Sequence, residues 1–179
     1  YEPINYRLST SMKNPKMTIL DAEKVYGEAA IFKEPRIIGE WVLWLEQRPN
    51  EKGRTTALIR PWKRKDLSPQ ELTPYPIDLR TKIHGYGGAP LTATLNGSDL
   101  ILTWVDNKDN CLWMRTWSYW EDNEKSSSFK FLPKIQAICL SKKHNCFIAG
   151  GVIDLEKNIW IGLMAVSYTH LRAHETPEL

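Results

Sequence analysis

The stretch Trp41–Trp62, WVLWLEQRPNEKGRTTALIRPW, holds two apolar, strand-forming arms around a polar centre that contains Asn50 and Gly53. Apolar side chains of the first arm alternate onto both faces of a strand, and the second arm starts with the β-branched Thr55 and Thr56. A hairpin with two apolar faces needs further strands beside it and other layers above and below it. The stretch therefore predicts a long antiparallel hairpin inside a larger β-structure.

Composition indicates a globular, mostly β protein. Of its 179 residues, 42% are hydrophobic and 11% aromatic, and ten Gly and eleven Pro punctuate the chain. The formal net charge is only +3, with basic and acidic residues interleaved, so no basic stripe indicates binding to nucleic acid. No stretch is long and apolar enough to predict a membrane span.

Cysteine usage favours a reduced, cytoplasmic setting. Cys111, Cys139 and Cys146 are an odd number without a dense disulfide framework, and no signal peptide is visible. Cys139, His144 and Cys146 could be imagined as zinc ligands, but they lack a C-x-x-C pair and a placed fourth ligand. We therefore predict no metal and no cofactor. The chain begins at Tyr1 without Met, and we expect that the true N-terminus lies upstream or has been trimmed.

Three segments are expected along the chain. Residues 1–35 are expected to form an N-terminal arm and entry segment. Thr18 and Asp21 have the spacing of a capping box, so the residues that follow could form either a short helix or the start of a strand. Residues 36–165 carry the strand pattern. Residues 166–179, VSYTHLRAHETPEL, resemble the translation of a transposase-type sequencing adapter, so we expect a non-native tail and a native protein that continues beyond it.

The strands of residues 36–165 repeat with a period of somewhat more than about 50 residues, a length typical of a propeller blade. The first unit has a short strand at Ile37 and Ile38, the hairpin, and an edge strand in QELTPYPIDL. The second has PLTATLNGSDLILTWV turning at Asn96-Gly97, then CLWMRTWSYW and FKFLP, and a third begins at Ile135. The predicted fold is all-β: a partial β-propeller with two four-stranded antiparallel blades and the start of a third.

Several of these stretches together resemble the N-terminal β-propeller of bacterial prolyl oligopeptidase-family serine peptidases, specifically the acylaminoacyl peptidase or dipeptidyl aminopeptidase-like subgroup. They are WLEQRPNEKGRTTALIRPW, LTPYPIDLRTKIHGYGGAP and GVIDLEKNIWIGLM. The resemblance implies a propeller that covers a C-terminal α/β-hydrolase domain with a Ser-Asp-His triad, acting on short peptides or acylated N-termini. Such a domain needs a G-x-S-x-G nucleophile elbow, which the 179 residues lack, so we expect no catalytic residue in this chain.

The segment Arg80–Pro90, RTKIHGYGGAP, holds the candidate substrate-gating or tunnel-lining residues Arg80, His84 and Tyr86. They could face the propeller tunnel, or the cleft toward the missing domain, and position a peptide's carboxylate or carbonyls. Alternatively Gly85, Gly87 and Gly88 allow a purely structural corner, in which His84 bonds to the backbone. Members of the family usually have HEYGG here, and Gly85 replaces that Glu.

The opening hairpin carries the residues that identify the family pattern most specifically: Trp44, Glu46, Arg48 and Arg54. Either arginine could pair with Glu46 at the surface or reach across a blade, and surface pairing is the simpler interpretation. Two functions remain: the substrate-gating propeller portion of a serine peptidase, or a self-standing propeller-like module that binds a protein partner without catalysis.

Overall fold

A computed structural model describes residues 29–83, 89–121, 128–141, 147–167 and 170–175, and these residues are almost entirely β-structure. They contain one 3-10 turn, Pro49–Glu51, and no α-helix. Within these ranges no helix is long and apolar enough to cross a membrane. The all-β prediction is confirmed. The strands are β1 (Ile31–Ile38), β2 (Trp41–Arg48), β3 (Arg54–Pro61), β4 (Gln70–Glu71), β5 (Leu91–Asn96), β6 (Asp99–Val105), β7 (Leu112–Glu121), β8 (Phe129–Pro133), β9 (Ile138–Cys139), β10 (Phe147–Asp154), β11 (Ile159–Ser167) and β12 (His170–Glu175).

The first sheet has the strand order β1-β2-β3-β4, with every neighbouring pair antiparallel. Its centre is the predicted hairpin, paired in regular register from Arg48↔Arg54 at the turn to Trp41↔Pro61 at the open end. Leu43 is fully buried, whereas residues of the opposite face of β2 are half-buried. Both faces of the hairpin are therefore covered to different extents, as its apolar pattern predicts.

The first strand is longer than the predicted strand at Ile37 and Ile38, because β1 continues through Pro35. Proline cannot donate a ladder hydrogen bond, and the pairing register shifts between Lys33 and Arg36 at this point. Glu34 has a positive φ of 49° inside this irregularity. A β-bulge therefore accommodates the proline that the sequence pattern treats as a boundary.

The second sheet follows the path β5-β6-β7-β8, and the short β9 also pairs with β7. Its first hairpin is confirmed, but the turn lies one residue later than predicted, because Asn96 still pairs with Asp99. Gly97 takes the left-handed conformation, with φ of 61°, and Ser98 completes the turn. Glycine tolerates this conformation at no steric cost, whereas Asn96 stays extended in the strand.

The third sheet has the order β10-β11-β12. The predicted turn between Asp154 and Asn158 joins β10 to β11, which pair from Asp154↔Ile159 onward. Residues 170–175, from the segment expected to be a non-native tail, pair with β11 as an antiparallel strand. The boundary expected between residues 165 and 166 thus falls inside β11. The capping box at Thr18 and Asp21 lies outside the described residues.

Two hydrophobic cores hold the three sheets together. The larger core joins the first sheet to the second, and Trp41 contacts Phe131 across it with a ring-centroid distance of 4.8 Å. The smaller core joins the second sheet to the third around Trp160, whose indole nitrogen donates to Thr103 Oγ1 at 3.1 Å. The first sheet therefore packs against the second, and the second packs against the third.

Candidate functional site

The turn of the opening hairpin builds the most charged part of the described structure. Pro49–Glu51 form the 3-10 turn, and Lys52 and Gly53 follow with positive φ values of 58° and 76°. The Gly53 N–H donates to the Arg48 carbonyl at 3.0 Å and closes the turn. This compact turn directs Glu51 back toward the arginines at both strand ends.

Arg54 lies at the centre of this region. Its side chain is only 6% exposed, although surface pairing was the simpler expectation. The guanidinium donates through Nε to Glu51, through Nη2 to Glu71 Oε1 at 2.7 Å, and through Nη1 to the carbonyls of Thr73 and Ile77, both at 3.0 Å. Arg54 therefore satisfies two carboxylates and two backbone carbonyls, from the hairpin turn and from the stretch between Glu71 and Ile77.

Arg48 lies beside it and shares the same carboxylates. Its Nε donates to Glu46 Oε1 at 2.7 Å, and its Nη1 donates to Glu51 Oε1 at 3.0 Å and to Glu71 Oε1 at 3.2 Å. We call the residues Glu46, Arg48, Glu51, Arg54 and Glu71 the arginine–glutamate cluster. Because each of its charges has an opposite partner, the cluster acts as a clamp on the end of the first sheet.

The electrostatics of the cluster agree with this geometry. Hydrogen bonding from Arg54 lowers the pKa of Glu51 below its ordinary value, against a smaller opposing effect of burial. Burial would raise the pKa of Glu71, but hydrogen bonds from Arg54 and Thr56 and the nearby arginine charges outweigh it, and the pKa is lowered. Burial would likewise lower the pKa of Arg48, but its carboxylate partners raise it. The partners of Arg48, Glu51 and Glu71 therefore favour the charged form of each of these side chains.

A second polar group continues from the cluster toward the Arg80 segment. Asp78 accepts hydrogen bonds from the Thr55 N–H and from Asn107 Nδ2, each at 2.8 Å, and so connects the first sheet to the turn after β6. The Arg80 N–H donates to the Val105 carbonyl at 3.1 Å. Its exposed guanidinium donates through Nη2 to the Gly53 carbonyl at 3.2 Å. Arg80 is thus fixed at the same end of the molecule as the cluster.

The structure places only part of the predicted gating group. Arg80 is described, whereas His84 and Tyr86, together with Gly85, Gly87 and Gly88, lie outside the described residues, so their tunnel-lining role stays a prediction. Trp44 lies on the half-buried face of the hairpin, with the guanidinium carbon of Arg60 5.9 Å from its ring centroid. Arg48, Arg54 and Arg80 therefore gather at one end, and Trp44 has a packing role.

Sequence patterns did not identify Glu71 or Asp78 as members of this region. The separation of Glu51 and Arg54 by three residues was a local signal, but Glu71 reaches Arg54 only because β4 folds back beside β3. Within the part of the chain that the structure describes, no group of three or more His, Cys, Asp or Glu residues could hold a metal ion. The charged side chains of the arginine–glutamate cluster hold neighbouring backbone segments in place.

The fold, but not the sequence, is similar to known proteins. No model of a known protein family matches this chain, and no curated protein sequence matches it. A puromycin-hydrolysing peptidase of Mycobacterium tuberculosis matches 82% of this chain with a TM-score of 0.55 and 21% identity. A puromycin hydrolase matches 89% with a TM-score of 0.59, and a serine-to-alanine mutant of puromycin hydrolase, complexed with PGG, matches 88% with a TM-score of 0.61, both at 18% identity.

The matched regions are only part of those proteins. The chain spans 21%, 26% and 23% of the three structures, in the order just given. At these identities the similarity concerns the fold alone. The arrangement of sheets described above is therefore one that also occurs within puromycin-hydrolysing peptidases.

Proposed function

We propose that this chain is part of the β-propeller of a prolyl oligopeptidase-family serine peptidase, and that it controls access of substrate to a catalytic domain elsewhere in the polypeptide. The observation that carries the proposal is the fold similarity to puromycin-hydrolysing peptidases, with TM-scores from 0.55 to 0.61. Consecutive antiparallel sheets packed against one another support it, because a propeller repeats such a unit around an axis.

In this proposal the arginine–glutamate cluster holds in place the chain that leads to the gating residues Arg80, His84 and Tyr86. Arg54 binds the Thr73 and Ile77 carbonyls and so fixes the chain that leaves β4. Asp78 and Arg80 follow directly, and their bonds to Asn107 and Val105 fix this connection against the second sheet. The exposed Arg80 guanidinium is then a pre-positioned donor for a peptide carboxylate or carbonyl. His84 and Tyr86 would complete the gating group.

The proposed substrates are short peptides or peptides with acylated N-termini, as in acylaminoacyl peptidases. The partners are an α/β-hydrolase domain and the peptide itself, and the proposed location is the cytoplasm. The chemistry requires an activated serine with its own acid-base partners and no cofactor. In this proposal the 179 residues position the peptide substrate, and the α/β-hydrolase domain cleaves the bond.

A fluorophosphonate probe tests whether the reactive serine lies outside these 179 residues. We expect no labelling of the purified 179-residue chain, and stoichiometric labelling of the complete polypeptide encoded by the source gene, at a serine outside these residues. Labelling of the isolated chain would refute the proposal. So would a complete gene without a G-x-S-x-G motif and a later histidine, and that outcome would favour the alternative of a non-catalytic protein-binding module.

Substrate gating is tested by Arg80→Ala in the complete enzyme, with Arg64→Ala as the control because Arg64 is also an exposed arginine and pairs with Asp66, two residues away. We expect Arg80→Ala to raise KM for peptide substrates and leave fluorophosphonate labelling at saturation unchanged. Equal KM values for Arg80→Ala and Arg64→Ala would show that Arg80 does not contact the substrate.

A further inference from the structure

The pairing of β7 with β9 brings two cysteines onto one face of the second sheet. In this short ladder Trp113 is opposite Cys139, and Cys111 lies two residues before Trp113. Side chains two residues apart on a strand point to the same face. Cys111 and Cys139 are therefore diagonal neighbours across the two segments, although 28 residues separate them in sequence.

Hydrogen bonds beyond the ladder hold this arrangement in place. The Leu140 N–H donates to the Leu112 carbonyl at 2.8 Å, and the Leu112 N–H donates to Ser141 Oγ at 2.8 Å. The two segments thus remain paired past the last residues of β9. Cys111 is held where the turn after β6 meets the start of β7.

Both thiols are accessible to solvent. Both cysteines are free and partly exposed. The Cys111 thiol lies 3.6 Å from the Asp109 carbonyl oxygen, and burial raises its pKa to about 11. Partial exposure allows a small oxidant to reach the pair, whereas fully buried thiols are inert.

We propose that Cys111 and Cys139 form a reversible intramolecular disulfide when the chain meets a low-molecular-weight disulfide such as oxidised glutathione. One cysteine thiolate attacks a sulfur of the oxidant, forms a mixed disulfide and releases one glutathione. The second cysteine thiolate then attacks the protein sulfur of the mixed disulfide and releases the other glutathione. The protein loses two electrons and two protons, and the oxidant becomes two thiols.

The closure requires a small movement and has a local consequence. Diagonal neighbours have Cα atoms about 7–8 Å apart, whereas disulfides span about 4.4–6.8 Å, so the segments must approach by about 1 Å. Cys111 lies at the end of a turn, where such an adjustment is easy. The bond would fasten β9, and with it the chain entering the third sheet, to the turn between β6 and β7.

Peptide mapping tests the proposal directly, because trypsin places each cysteine on a separate peptide: Cys111 on residues 109–115, Cys139 on residues 135–142 and Cys146 on residues 144–157. We expect native chain treated with oxidised glutathione to yield the first two peptides joined by one disulfide. Dithiothreitol should separate them. A control oxidised in guanidinium chloride should give mixed linkages that include Cys146.

Three variants give matched controls. Cys146→Ser should retain the linked peptide, whereas Cys111→Ser and Cys139→Ser should lose it and instead accumulate a glutathione adduct on the remaining thiol of the pair. The wild-type peptide map remains decisive if a variant fails to fold. The proposal is overturned if the native chain links Cys146 to either cysteine, or if it forms only glutathione adducts.

Discussion

Nη2 of Arg54 lies 2.7 Å from Oε1 of Glu71, and this ion pair joins the start of β3 to the short edge strand β4. The arginine side chain is almost fully buried, while the glutamate is 27% exposed. Only two residues of β4 pair with β3, so few backbone hydrogen bonds hold this edge. The Arg54–Glu71 contact therefore adds to the other bonds that attach β4 to the sheet, among them the Leu72 N–H bond to the Ala57 carbonyl at 2.9 Å.

Replacement of Arg54 by leucine should strongly destabilise the protein. The change removes the partner of Glu71 and the donors to the Thr73 and Ile77 carbonyls, and breaking a buried ion pair by removing one partner costs about 3–5 kcal/mol. We expect Arg54→Leu to lower the free energy of unfolding by about 3 kcal/mol in urea titrations followed by tryptophan fluorescence.

Two further arginine variants are the controls for this prediction. Arg48→Leu removes contacts to some of the same carboxylates from a more exposed side chain and should cost less. Arg64→Leu removes a solvent-exposed pair with Asp66 and should leave the urea midpoint nearly unchanged. Equal midpoints for the Arg54 and Arg64 variants would contradict a clamping role for Arg54.

The same cluster predicts a loss of stability in acid. Glu51 and Glu71 have lowered pKa values in the folded chain, so their contribution to stability is complete above their ordinary value of 4.5. It is lost as the pH falls through the lowered folded values, because protonation then removes the charge that the arginines bind.

Urea midpoints measured between neutral pH and pH 3 test this dependence. The wild-type midpoint should fall below about pH 4.5, with a steeper decline than that of a Glu51→Gln/Glu71→Gln double variant. A double variant with an unchanged acid dependence would show that other carboxyl groups determine the acid response.

Ionisation of Asp106 should lower the stability of the fold, whereas ionisation of Glu51 and Glu71 raises it. Burial, with smaller contributions from the charges of Asp109 and Asp78, raises its pKa above the ordinary 3.8. The folded state thus disfavours the ionised carboxyl, and this cost is present above the raised pKa and absent below the ordinary value.

The Asp106→Asn variant should therefore be more stable than the wild type at pH 7 and equal to it at low pH. Its new amide oxygen can still accept the Lys108 N–H bond, which is 3.0 Å long in the wild type. Asp66→Asn is the control, because Arg64 lowers the pKa of that exposed carboxyl and no gain is expected. A gain for Asp106→Asn that persists at low pH would indicate an effect unrelated to ionisation.

The sequence predicted the hairpins well, because their signals are local. Alternating apolar residues and a turn glycine mark the strands on either side of Gly53 and of Gly97, and the structure pairs those strands. The continuation of β1 through Pro35 was not predictable by the same rule. Proline normally marks a strand boundary, and only the partner strand shows that a bulge accommodates it.

The candidate site was less predictable than the fold, because its contacts join residues distant in sequence. Arg54 and Arg80 were identified as candidates, but Glu71 and Asp78 enter the site through pairing of β4 and through a bond to Asn107. A side chain's charge is visible in the sequence, whereas its burial depends on the packing of other segments. The sequence therefore predicted a surface position for Arg54, whereas its side chain is buried.

The exposed apolar surface of β1 predicts poor solubility of the isolated chain. Phe32 and Ile37 are 67% and 71% exposed, and among the residues that the structure describes β1 is an edge strand, whose outer side can template association. We expect a Phe32→Lys/Ile37→Lys double variant to remain monomeric at higher concentrations than the wild type, as measured by light scattering.

The fold should tolerate these two lysines, because both sites face solvent. Leu43→Lys, which places a charge at a fully buried site of the adjacent strand, is the contrasting variant and should unfold the sheet. If the double variant self-associates at the same concentrations as the wild type, the surface responsible for association lies elsewhere in the molecule.

Trp41 contributes to the attachment of the first sheet to the second. Its ring centroid lies 5.2 Å from that of Tyr119, 5.2 Å from that of Phe129 and 4.8 Å from that of Phe131, so one side chain of β2 contacts three aromatic residues of the second sheet. Removal of a core tryptophan costs about 3–5 kcal/mol, and Trp41 is only partly buried. We expect Trp41→Ala to lower the free energy of unfolding by about 2–3 kcal/mol.

Hydrogen exchange distinguishes loss of this contact from general loosening. In Trp41→Ala, amides of the first sheet should exchange faster than those of β10 and β11, because the third sheet packs on the second through a separate core. Trp120→Ala is the control, since that side chain is 49% exposed and its removal should cost less than about 1 kcal/mol. Equal acceleration of exchange in all three sheets would mean that they unfold as one unit, which would contradict a separable contact at Trp41.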